Sequence, residues 1–190
     1  MPHDKHITHL DCTLRDGGYY TEWNFPKDLI EDYLFAVKAA AIDIAEVGFR
    51  FWSHDELKGA CAYTTDEFLE SLNRPQDLTI GIMMNAADLI TEDGLSLHRL
   101  ERLIPRPEKD SPVGLVRIAS HIHEFESALK ACAWLNKKGY RTGINIMQIS
   151  ECTEQKVIDL SAMATKHPVN VLYIADSLGN ITPQDVNRIM

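Results

Sequence analysis

The sequence holds 190 residues, 45% of them apolar, enough for one sizeable core, and this length favours one domain over two. A formal net charge of −9 leaves no basic stripe to neutralise phosphates, which argues against a nucleic-acid partner but permits a small anionic ligand held by local cations. Cys12, Cys61, Cys132 and Cys152 form no CxxC pair, the amino terminus MPHDKHITHLDC lacks the apolar run of a leader peptide, and Lys38, Asp43 and Glu46 interrupt the best membrane-span candidate. The expectation is a reduced, cytoplasmic protein without a membrane segment.

The first β-like run, ITHLDCTL from Ile7, delivers Arg15 and Asp16 to its carboxyl end, and Gly17-Gly18 predicts a sharp turn there. After Pro26, Leu29, Ile30, Tyr33, Leu34 and Val37 share one helical face. A second strand, IDIAEVGF from Ile42, carries Glu46. The longest connection, Arg50 to Thr64, then brings Phe51, Trp52, His54 and Tyr63; it predicts either a lid or substrate wall, or an aromatic patch packed on the neighbouring loop. LTIGIMM from Leu78 ends beside Asn85, and VGLVRIAS from Val113 carries Arg117 and leads to Ser120, His121 and His123. Phe125, Ala128, Leu129, Cys132 and Leu135 make the next helical stripe, which Gly139 ends in a left-handed cap. TGINIMQI from Thr142 reaches Gln148, and a helix marked by Val157, Leu160 and Ala164 stops before Pro168. Finally, VNVLYIAD from Val169 ends at Asp176, and Thr182-Pro183-Gln184-Asp185 starts a last helix with an N-cap, a first-turn proline and an acid.

Strands recurring about every 30 residues between helices predict an α/β fold with a parallel sheet, either doubly wound or closed as a TIM (β/α)8-type barrel. The barrel is favoured, because no GxGxxG follows the first strand and polar residues gather at the strands' carboxyl ends, where such barrels keep their sites. Six βα units are visible and a closed barrel needs eight. The expectation is therefore one barrel-type catalytic domain over residues 1–190, truncated at its carboxyl end or belonging to a longer chain, or completed by a partner subunit in a homo-oligomer. No linker or low-complexity tract marks a domain boundary.

The chemistry concentrates in LDCTLRDGGYY, Leu10 to Tyr20. A carboxylate at Asp16 suits a hard divalent ion, and the Arg15 guanidinium suits an enolate or carboxylate oxygen; a structural Arg-Asp pair beside a glycine turn is the competing reading. Here the sequence resembles the HMGL-like metallolyases, the family of 4-hydroxy-2-oxovalerate aldolase and hydroxymethylglutaryl-CoA lyase, with isopropylmalate and homocitrate synthases as relatives. TLRDG at Thr13 to Gly17, AEVGF at Ala45 to Phe49 and ADSLGNITPQDV at Ala175 to Val186 carry the resemblance in order and spacing.

The resemblance implies a divalent metal cofactor, Mg or Mn before Zn or Co, and a small-molecule 2-oxo acid or acyl substrate. It implies Asp16 as metal ligand, Arg15 as stabiliser of the enolate, and Glu46 as brace of this pair. Asp176 would shape the floor of the site or hydrogen-bond the strand ends, and Gly179 would permit the turn into the last helix. Where the aldolases carry a histidine after RDG, this chain has Tyr19, which holds that catalytic position but is a poor base near neutral pH. The family's strand-seven HxH pair would fall beyond Met190.

His121 and His123 form an HxH of their own, with two readings: metal ligands pointing one way, or pocket lining and helix capping near Glu124. Asn85 and His121 are candidate substrate contacts. Arg117 is a candidate for a substrate carboxylate, or for an internal ion pair with Glu46. Three functions follow: a metal-dependent carbon-carbon lyase, a Claisen-type acyltransferase using the same residues, or a non-catalytic ligand-binding barrel.

Overall fold

Short runs rich in Val, Ile and Met, buried on both faces through the middle of the sheet, pair in parallel because every connection returns the chain over the outside. In the computed structural model the main sheet has six strands among the described residues, β1 (Leu10–Asp11), β2 (Ile44–Phe49), β3 (Thr79–Asn85), β4 (Val113–Ser120), β5 (Arg141–Ile146) and β6 (Val171–Ile174), apart from a short antiparallel pair at Ile90–Thr91 and Gly94–Leu95. The six pair in chain order, all parallel, with β1 and β6 as edges, so the sheet is an unclosed half-barrel. The structure describes residues 7–176 and 179–189. Part of the amino terminus read against a leader, Ser177 and Leu178 of the ADSLGN segment, and Met190 lie outside the described residues.

The helices are α1 (Thr13–Thr21), α2 (Lys27–Ala39), α3 (Asp66–Ser71), α4 (Ala86–Leu89), α5 (Leu97–Leu103), α6 (Phe125–Lys137), α7 (Glu154–Ala164) and α8 (Pro183–Ile189). Phe125, Ala128, Leu129, Cys132 and Leu135 bury the expected stripe of α6 in the same core as Ile118 and Ile144. Gly139, at φ 98°, ends that helix as its spacing predicts. Thr153 caps α7 by accepting the Lys156 N–H, and Thr182 and Asp185 cap the entry to α8 reciprocally. Among the described residues no helix is long and apolar enough to cross a membrane.

The first strand differs most from expectation. ITHLDCTL pairs only at Leu10 and Asp11, because the Asp11 carboxylate accepts the Thr13 N–H at 2.8 Å and starts α1. TLRDGGYYT is therefore helical, and Gly17-Gly18 is no turn. The chain reverses afterwards, at Glu22 and Trp23, both in the left-handed region. Gly18 serves packing instead: a Cβ there would lie 1.9 Å from Cδ1 of the buried Trp23.

Gly48 of the AEVGF motif has the same kind of cause. A Cβ on it would stand 1.8 Å from the Cys61 carbonyl oxygen, where the long connection folds back over β2. Gly48→Ala is expected to destabilise the protein by about 3 kcal/mol, the upper part of the overpacking range, since backbone rather than a flexible side chain must move. A urea-melt midpoint within error of the wild type would contradict this.

Candidate functional site

Glu46, fully buried on β2, is the centre of a charged layer inside the half-barrel. Its register neighbour on β3 is Gly81, which leaves room for the carboxylate. Arg15, from the first turn of α1, places Nε 2.5 Å from Glu46 Oε1. Arg117, from β4, places Nε 2.8 Å from Oε2, an ionic contact outside hydrogen-bond angles, and donates from Nη2 to Oε1 at 3.3 Å. Of the two roles open to Arg117, the structure thus forms the ion pair with Glu46. The Arg117 guanidinium also lies over the Tyr173 ring, 4.5 Å from its centroid.

Arg15 is held from both sides. Its Nη1 contacts Asp16 Oδ1 at 2.7 Å while Nε stays on Glu46. Burial works against its charge, but Glu46 and Asp16 outweigh burial and hold the guanidinium pKa above its ordinary value. Asp16 itself is more than half exposed, and its Oδ2 accepts the Cys12 thiol at 3.2 Å. Burial raises the Cys12 pKa, and the hydrogen bond to Asp16 adds to the rise.

A hard divalent cation takes about six oxygen donors, and Asp16 offers one exposed carboxylate. Among the described residues no group of three or more His, Cys, Asp or Glu side chains is placed to hold an ion, so these residues alone do not complete a site. His121 and His123 stack their rings in parallel, 5.7 Å apart. His121 Nδ1 lies 3.2 Å from Gln148 Oε1, and its backbone N–H donates to Glu124 Oε2 at 2.9 Å, which is the capping geometry anticipated near Glu124.

Tyr19 projects from α1 edge-on to Trp23, 4.9 Å between centroids, and remains largely exposed. Partial burial raises its phenol pKa; Arg15 opposes the rise and Asp16 adds to it. At neutral pH the group is a proton donor rather than a base. Asn85 ends β3 and, with Asp88, Phe51 and His54, lines an open groove of about 710 Å³ at the strands' carboxyl ends. Burial raises the Asp88 pKa, the first of several influences.

The long connection packs its aromatic residues against neighbouring elements and also lines a groove. Trp52 packs on α5, with the Arg99 and Arg102 guanidiniums 5.1 and 5.2 Å from its ring, and Phe51 stacks on Phe49 at 4.6 Å. Phe51 and His54 meanwhile wall the groove. Arg50 clamps the connection by donating to the Leu103 and Thr64 carbonyls and to Asp66. Asp176 accepts the Asn180 and Ile181 N–H groups, so it ties down the loop that follows its own strand rather than neighbouring strand ends, and Gly179 takes φ 68° on the way into α8.

Two residues of the interior, Asn145 and Tyr173, escape the sequence reading. The one signal the sequence offers is Asn145 as a lone amide alternating with Gly143 in an apolar run.

No family model matches the chain. It is 26% identical over 187 residues to a 4-hydroxy-2-oxovalerate aldolase of Polaromonas naphthalenivorans, covering 96% of this chain and 50% of that protein. The chain spans about half the length of the curated relatives it matches. Its structure is similar to the N-terminal domain of a candidate aldolase from Bacteroides vulgatus, with a TM-score of 0.66 and 27% identity over 90% of this chain and 65% of that one. It shares the fold of the Bacillus subtilis HMG-CoA lyase at a TM-score of 0.70 and 14% identity, covering 100% of this chain and 64% of that one.

Proposed function

Since the chain belongs to the HMGL-like metallolyase superfamily, as an incomplete half-barrel, we propose that it breaks or forms a carbon-carbon bond beside a 2-oxo acid or acyl group through an enolate. The observation that carries the proposal is the continuous chain Asp16, Arg15, Glu46, Arg117, which fixes a guanidinium at the strand ends between two carboxylates.

A guanidinium held in place before the reaction stabilises a developing enolate oxygen without having to reorganise. Arg15 takes that role, and Glu46 positions it while Arg117 balances the charge on Glu46 from behind. Asp16 would supply one oxygen to a divalent ion, Mg or Mn suiting a carboxylate better than Zn or Co. Such an ion, when bound, supplies Lewis-acid polarisation of the 2-oxo group. Tyr19, protonated at neutral pH, donates the proton that converts the enolate to product. Asn85 and His121 contact the substrate at the strand ends, and Arg117 lends its charge to the floor of the site.

The test follows methyl-proton exchange of pyruvate into deuterated water by NMR, with magnesium or manganese added. Wild type is expected to catalyse metal-dependent exchange, and Asp16→Ala to lose it by roughly 100-fold, the scale of removing one charge-stabilising group. No exchange by wild type with any divalent ion, for pyruvate or related 2-oxo acids, would sink the proposal.

A further inference from the structure

The long connection after β2 borders two cavities. One is the groove beside Asn85; the other, of about 270 Å³, lies between that connection, the start of α3 and the end of α5. Phe51, Trp52, Tyr63, Leu103 and Pro105 give it walls that are mostly apolar. The Tyr63 phenol donates to the Asp55 carbonyl at 3.0 Å and accepts from the Asp55 N–H at 2.7 Å, and its ring stacks on His54, 4.9 Å between centroids. The cavity shares Phe51 and His54 with the groove but includes none of Arg15, Asp16, Glu46 or Asn85.

The charges around this cavity are unevenly matched. Asp66 pairs with Arg50 at 2.8 Å and has Arg106 3.7 Å from its other oxygen, while Arg106 also contacts Glu67 at 3.3 Å. Arg50 is buried and directs both terminal nitrogens to the Leu103 and Thr64 carbonyls and to Asp66, so it has no charge to spare for a ligand. Arg102 differs. Its guanidinium stacks over Trp52, 5.2 Å from the ring centroid, and makes no hydrogen bond or ion pair among the described residues. Stacking engages the flat face of a guanidinium and leaves its N–H edge free to take an anion through two parallel bonds. With one unpaired cation among the described residues that line it, the cavity suits a singly charged carboxylate better than a phosphate dianion.

We infer that this cavity is a binding site for a monocyclic aromatic carboxylic acid, its ring against Phe51, Trp52 and Tyr63 and its carboxylate on Arg102, distinct from the groove at the strand ends. The inference does not depend on the enolate chemistry, because no residue of the chain from Asp16 to Arg117 lines the cavity. Aromatic rings that meet offset or edge to face gain more than the area they bury, which favours a flat ring over an alkyl group against these walls. The guanidinium adds charge-assisted hydrogen bonds at one end of the ligand. A ring without the charge, or a charge without the ring, therefore satisfies only half of the site.

NMR of the indole N–H signal of Trp52, assigned by its absence in Trp52→Phe, tests this while benzoate, benzyl alcohol or acetate is added at neutral pH. Wild type is expected to show a saturable shift with benzoate in the millimolar range, and roughly tenfold weaker binding of each of the other two. Arg102→Gln, at an exposed helix position whose substitution leaves the core intact, should weaken benzoate roughly tenfold. Lys58→Gln, which removes the lysine of the neighbouring groove, should leave benzoate affinity within about twofold of wild type. No saturable shift with benzoate, equal binding of benzyl alcohol, or unchanged affinity in Arg102→Gln overturns the assignment. Affinity lost in Lys58→Gln but kept in Arg102→Gln places benzoate in the groove and overturns it as well.

Discussion

Glu46→Gln is expected to lower stability by about 3–5 kcal/mol, because it leaves two guanidiniums facing each other in the interior with no carboxylate between them. The side chain has no exposed surface, and Arg15 and Arg117 are themselves mostly buried, so water cannot substitute for the lost charge. Arg117→Met should cost clearly less, because Arg15 and Glu46 remain a balanced pair and the thioether can fill part of the space over Tyr173. Urea melts of both variants give the comparison through their midpoints. If Glu46→Gln proved no less stable than Arg117→Met, Glu46 would not be the charge on which this layer depends.

The second large effect is on catalysis. Under the proposed function, Arg15→Lys should lower turnover by roughly 100- to 1000-fold, the scale of losing one preorganised oxyanion donor. The charge survives the substitution, but a lysine ammonium cannot reach Glu46 and Asp16 from opposite sides as the planar fork does. Stability should fall far less than in Glu46→Gln, since Glu46 would keep Arg117. Pyruvate release from 4-hydroxy-2-oxovalerate, coupled to a dehydrogenase assay, measures the loss. Turnover within about threefold of wild type would remove Arg15 from the reaction, because the loss of even one oxyanion donor costs far more than that.

These two effects involve a contact that local sequence rules reach only in part. The AEVGF run predicts a strand, and the polarity of Glu46 inside it marks the residue as unusual. A meeting with Arg117, 71 positions later, is one of two roles the sequence leaves open. Register between β3 and β4, with a shift near Ile80 and Gly81, decides between them. The same dependence on distant chain explains the glycines. Gly17-Gly18 reads as a turn because glycine permits one, yet the dipeptide is helical, and what Gly18 answers is the Trp23 ring lying against it.

Local chain chemistry was enough to establish the order of the six units, the α6 stripe ended at Gly139, the cap of α8 and the gathering of polar groups at strand ends. Each of these follows from periods of two or 3.6 residues and from turn chemistry within a few positions. Other outcomes came only with assembly: that Glu46 binds two arginines and that His121 joins Gln148. They require strands from separate units to be brought side by side in a particular register, and a register is a property of the assembled sheet that no single segment carries.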